Sequence, residues 1–132
     1  MLSVDTNVVV RLFARDDPAQ TSAVAALLAG QQIWIAKTVL LETEWILRSV
    51  YGFDAASVRG ALHSLLSLQN AEVEDRQAVI TAIDLAAQGL ELADAIHLSS
   101  RPANAHFVTF DKALIRAARR AGVSHITEVP QP

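Results

Sequence analysis

"HFVTFDKALIRAARRAG", residues 106–122, carries the decision about the fold. Its first five residues have the apolar, β-branched and aromatic character of a strand, and Asp111 follows at once. Residues 112–121 then repeat with helical spacing until Gly122 stops them. On that helix Lys112, Arg116, Arg119 and Arg120 fall on one stripe, opposite Ala113, Leu114, Ala117, Ala118 and Ala121. A strand that runs through one acid into an amphipathic helix is half of a parallel βα unit.

The same order appears at the start of the chain, where "LSVDTNVVV" (2–10) places Asp5-Thr6-Asn7 between a short apolar run and a second one. Between these ends the breakers fall between periodic segments. Asp17-Pro18 opens a helix that Gly30 closes, and "QIWIA" is a short β-rich run. "KTVLLETEWILRSVYG" begins at a Thr38 cap and ends at Gly52; Asp54 opens the next helix. Asp75 precedes "RQAVITAIDLAAQG", "LADAIHLSS" follows, and "HITEV" is a final strand. Strands alternating with helices, without hairpin turns, predict an α/β layer with a mostly parallel sheet.

At 132 residues the chain suits one domain, residues 1–132. It is 52% hydrophobic with a mean hydropathy of +0.28, which excludes disorder and predicts a surface that a partner covers. No apolar run reaches the roughly 18 residues a membrane helix needs, and the N-terminus lacks a secretory pattern, so a cytoplasmic protein is expected. The absence of cysteine removes disulfides and thiolate metal sites. A net charge of −3 argues against nucleic-acid binding by bulk charge; any such contact is local.

Four acids stand out. Asp5 and Asp111 each end a strand, where the crevice of an open parallel sheet lies, and each also suits the N-cap of the next helix. On the helix after "QIWIA", Val39, Leu40, Ile46, Leu47, Val50 and Tyr51 form the apolar face, and Glu44 pairs with Arg48 as a solvated i,i+4 pair. Glu42, bracketed by Trp45 and Ile46 with no cation within a turn, sits at the margin of the core, as an edge residue or a ligand. Asp94 lies in the first turn of its helix among Ala93, Ala95, Ile96 and Leu98, where the helix dipole favours an anion in any case. His97 reads as a packed or hydrogen-bonded structural residue, and Trp34 and Trp45 as core aromatics.

"SVDTNVVV", "TVLLETEWIL", "ADAIHL" and "VTFDKAL", in that order over nearly the whole chain, resemble the PIN-domain family and, within it, the toxin ribonucleases of the VapC type. The resemblance implies a three-layer α/β/α fold with a short central parallel sheet and an acidic site holding Mg²⁺ or Mn²⁺. Carried over by position, the site acids are Asp5, Glu42, Asp94 and Asp111, with Thr6 and Asn7 as supporting polar residues. Asp5 and Asp94 are the expected direct ligands, and Glu42 and Asp111 further or water-mediated ones. Ala93 departs from the aromatic that many relatives carry before the third acid. Relatives are usually homodimers, each neutralised by a small antitoxin protein, and both partners are expected here.

Such a site suits phosphodiester hydrolysis, which needs an activated water and cations to hold the charge growing on phosphoryl oxygens. Convergent carboxylates raise one another's pKa until a dication relieves them. Lys112, Arg116, Arg119 and Arg120 either guide an RNA backbone or form a solvated face, and Arg11 and Arg15 carry the same ambiguity. The competing expectations are a non-toxin PIN-fold RNA-processing nuclease, an inactive PIN scaffold, and a Mg²⁺-binding receiver-like signalling module. The last would want paired acids after the first strand, where only Asp5 stands.

Overall fold

Ile33 and Ile35 lie at the centre of a three-stranded parallel sheet, almost wholly buried. The computed structural model describes residues 1–132. By their internal packing these fall into two compact units, Met1–Arg76 and Gln77–Pro132, taken in turn below.

The first unit contains β1 (Leu2–Ser3), α1 (Thr6–Val10), α2 (Pro18–Leu28), β2 (Ile33–Ile35), α3 (Lys37–Ser49), α4 (Ala55–Ser67) and β3 (Ala71–Val73). Strand order is β1-β2-β3, all parallel, with Leu2 opposite Ile33 and Ile33 opposite Ala71. The expected helix starts hold at Asp17 and Asp54, whose carboxylates accept from Gln20 N–H at 3.1 Å and Ser57 N–H at 2.7 Å. Backbone contacts on Asp54 hold its carboxyl below the usual carboxylate range. The core gathers Val9, Val10, Leu40, Leu47 and Leu65 around the two isoleucines. Full burial of each such side chain contributes about 1.5–3 kcal/mol.

Several expectations fail here. Helix α3 starts one residue before Thr38: Ala36 is the N-cap and makes no side-chain cap bond. The Lys37 N–H instead donates to Glu74 Oε1 at 3.1 Å, so an acid just past β3 satisfies a helix-end donor. Trp45 is 55% exposed and Trp34 only half-buried, so neither is a core aromatic. The phase of α3 explains the first: Leu40, Thr43 and Leu47 define its inward stripe, and Trp45 stands roughly 200° from Thr43. Val50 falls on the inward stripe by phase but is the C-cap beyond the last turn and is exposed, and the Glu44–Arg48 pair, 2.8 Å apart, has a largely covered Glu44. Strand β3 has no counterpart among the elements read from sequence. It is three residues long with exposed Glu72 in its middle, too short for a period and charged as an edge strand is.

Tyr51, expected on the apolar face, works as a polar clasp. Arg11, at the end of α1, donates to Tyr51 Oη at 2.5 Å and pairs with Asp16, which also accepts from the Tyr51 hydroxyl at 3.1 Å. The guanidinium lies 5.9 Å from the Tyr51 ring centroid. These bonds hold the Asp16 carboxyl below its ordinary range, with the Arg11 bond the largest cause.

The second unit contains α5 (Arg76–Ala87, entered from the unit boundary), α6 (Leu92–Ser99), β4 (Phe107–Thr109), α7 (Lys112–Arg120) and β5 (Ile126–Glu128). Strands β4 and β5 pair in parallel, Phe107 opposite Ile126, with α7 as the crossover. Val79, Ala82, Ile83, Ala95, Leu98, Ala118 and Ile126 are buried. The two sheets together with seven helices make a mixed α/β chain with short parallel strands, as the alternation of elements predicts.

Candidate active site

Asp5 and Asp111 are both helix N-caps. Asp5 Oδ1 accepts from Val8 N–H at 3.1 Å ahead of α1, and Asp111 Oδ1 from Leu114 N–H at 3.0 Å ahead of α7. Each cap occupies one carboxylate oxygen. The Asp111 N–H donates to Thr109 Oγ1 at 3.0 Å, which tightens the turn that leaves β4. Both carboxylates are exposed, so the capping role does not withdraw them from solvent.

In the first unit Asp5 starts α1 and Glu42 lies on α3, two helices that pack on each other. Glu42 is exposed, not at the core margin, for the same reason of helix phase that turns Trp45 outward. Thr6 is buried at the first position of α1 and Asn7 is exposed beside it.

In the second unit the structure brings two of the four acids together. Asp94 and Asp111 line one open cleft of about 230 Å³, whose walls come from Gly89–Glu91 ahead of α6 and from Ala113, Leu114 and Ala117 of α7. Partial burial pushes the Asp94 carboxyl above the usual carboxylate range, and the charges of Glu91 and then Asp111 push it further, while His97 acts the other way. Negative charge is therefore in excess in this cleft.

Glu91 is the residue the sequence analysis missed. It is the N-cap of α6, makes no side-chain cap bond, and lines the same cleft three residues before Asp94. The available signal was its position, since a glutamate at an N-cap, where Ser, Thr, Asp or Asn would bond the helix end, does little for the helix.

No group of three or more His, Asp or Glu side chains converges closely enough to enclose a metal. The donor set nonetheless fits a hard cation. It is all oxygen, the chain has no cysteine, and Mg²⁺ is ordinarily held by one or two carboxylates, with waters and substrate phosphate completing its shell. A cation would also offset the burial and the neighbouring charges that push the Asp94 carboxyl upward.

The α7 cations are not equivalent. Arg119 donates to the Ile126 carbonyl at 3.2 Å and so ties α7 to β5, and Lys112 lies 3.8 Å from Glu128. Arg116 and Arg120 are exposed. Arg11 is engaged by Asp16 and Tyr51.

Short parallel strands whose ends pass through acids into helices define a mixed α/β protein with a carboxylate-lined cleft. The model of the PIN domain matches residues 2–120, and the chain belongs to the PIN-domain family. PIN domains are in general metal-dependent nucleases that use Mg²⁺ or Mn²⁺. No curated protein matches the chain.

Proposed function

We propose that the protein is a Mg²⁺- or Mn²⁺-dependent endoribonuclease of the VapC type, the toxin of a toxin–antitoxin pair, working as one PIN domain over residues 1–132. The observation that supports this is the cleft lined together by Glu91, Asp94 and Asp111, where burial and then the two neighbouring charges push the Asp94 carboxyl above its ordinary range, in a chain of the PIN-domain family. Asp5, Glu42, Asp94 and Asp111 form the acidic set, with Asp94 and Asp5 as direct ligands. When bound, the cation supplies charge neutralisation at the phosphate and a more acidic water.

The chain's own residues do the rest. The N-cap bonds of Asp5 and Asp111 fix their carboxylates at the helix ends, leaving one oxygen of each for a ligand. Thr6 and Asn7 offer hydrogen bonds beside Asp5. Lys112, Arg116 and Arg120 attract the RNA backbone by charge, with Arg119 contributing from its anchored position.

An antitoxin and a second copy of the chain are the expected protein partners, supported by exposed Leu27, Trp45, Val50 and Leu68. No helix is long and apolar enough to cross a membrane, and a cytoplasmic location is proposed. The test is cleavage of a panel of single-stranded and structured RNAs by the purified protein in Mg²⁺ or Mn²⁺. Activity lost in EDTA and in Asp94→Asn supports the proposal; cleavage that survives both overturns it.

A further inference from the structure

Exposure alternates along β4 and the residue after it: Phe107 and Thr109 are half-buried, whereas Val108 and Phe110 are exposed. Phe110 is 70% exposed, more than any other large hydrophobic residue except Met1. A phenyl ring held in water forgoes about 25 cal/mol for each Å² it could bury. It also directly precedes Asp111, whose carboxylate lines the acidic cleft. From the same turn Lys112, Arg116 and Arg120 run along α7 at i, i+4 and i+8, a stripe roughly 12 Å long.

We propose that Phe110 is a specificity-determining residue whose ring stacks on an unpaired base of the RNA substrate beside the phosphate bound at the Asp111 end of the cleft. The inference rests on the nuclease function proposed above and adds to it the residue that would take an unpaired base. An aromatic ring next to a line of cations is the composition of a single-strand groove: the cations hold the backbone and the ring takes a base face. Bases inside a duplex already stack on each other and cannot offer that face. Val108 is exposed two residues earlier, so a protein contact over both side chains is the rival occupant, and the test separates the two.

The experiment is fluorescence anisotropy with a labelled uridine octamer and a duplex RNA of equal length, both in EDTA so that neither is cut. Phe110→Ala is expected to weaken octamer binding roughly 5- to 150-fold, to leave duplex binding unchanged, and to be rescued by Phe110→Trp. Equal octamer affinity for wild type and Phe110→Ala overturns the proposal, as does an equal loss on both RNAs. A change in self-association without a change in octamer affinity overturns it in favour of a protein contact. Cleavage in Mg²⁺ is scored separately: an octamer bound through Phe110 but never cut sinks the nuclease function and leaves the stacking in place. A wild-type protein that binds no RNA sinks both.

Discussion

Asp5 and Asp111 hold the same local position in their separate units: each follows a short strand and caps the next helix through the N–H three residues ahead, at 3.1 and 3.0 Å. Asn caps a helix about as well as Asp, whereas Ala does not. Asp5→Asn and Asp111→Asn should therefore keep the melting temperature near wild type while cleavage falls by at least a hundredfold. Asp111→Ala should lose activity and about 1 kcal/mol of stability as well. Full cleavage by both Asn variants would show that these residues only cap.

Asp94 carries a raised pKa, and the sign of its linkage is specific. Its folded carboxyl binds a proton more readily than its unfolded one, so its contribution to stability is present below the ordinary carboxylate range and is lost as pH rises through the folded value. At neutral pH without metal, Asp94→Asn should thus melt higher than wild type, and the gap should close toward pH 4 on thermal denaturation. A lower melting temperature for the variant at pH 7 would contradict the crowding of charge in the cleft.

Glu91 sets helix and site against each other. Glu91→Ser supplies the missing cap of α6 and should add about 0.5–1 kcal/mol of stability in urea titrations. The same change removes one charge from the cleft, so Mn²⁺ affinity by calorimetry should fall several-fold. Stability and affinity moving in the same direction would argue against a role for Glu91 in the cleft.

Metal should stabilise the folded protein by mass action. Mn²⁺ at a hundred times its dissociation constant adds about 2.7 kcal/mol, and EDTA should return the melting temperature to its starting point. In Asp94→Asn the shift should largely vanish; a full shift in that variant would place the cation elsewhere.

The Arg11–Asp16–Tyr51 clasp predicts acid sensitivity of the opposite sign to Asp94. Asp16 is held below its unfolded value, so its contribution is present above the ordinary carboxylate range and is lost as pH falls through the folded value. Tyr51→Phe, which removes the hydroxyl both partners use, should lower the melting temperature at pH 7 and reduce the difference at pH 3.

The parts of the fold that were legible in sequence are those with a local physical cause. Asp17, Asp54 and Asp111 marked helix starts because a carboxylate at an N-cap bonds the next turn regardless of tertiary context. The start of α3 was misread because its donor is satisfied by Glu74, far away in sequence, and a propensity argument cannot see such a partner. Strand β3 is defined by pairing with β2 and not by any pattern of its own. Within the site, Asp94 and Asp111 are marked by their positions and do share a cleft, whereas Glu91 stands neither at a strand end nor on an apolar helix face and carries only the weak mark of an N-cap glutamate. Glu42 and Trp45 were misplaced together, by one error in the phase of α3.

The register of the strands also fixes a timetable. In the first unit Leu2 waits for Ile33, and Ile33 for Ala71, so its sheet can close only after more than half of the polypeptide has left the ribosome. The pairing of Phe107 with Ile126 comes last of all. Asp94 and Asp111 are thus still being synthesised, or only just emerging, while the residues around Asp5 and Glu42 are already able to pack. The cleft that Asp94 and Asp111 line is therefore assembled after the first sheet can close, so any ligand that needs both carboxylates finds no seat on the earlier-folding unit.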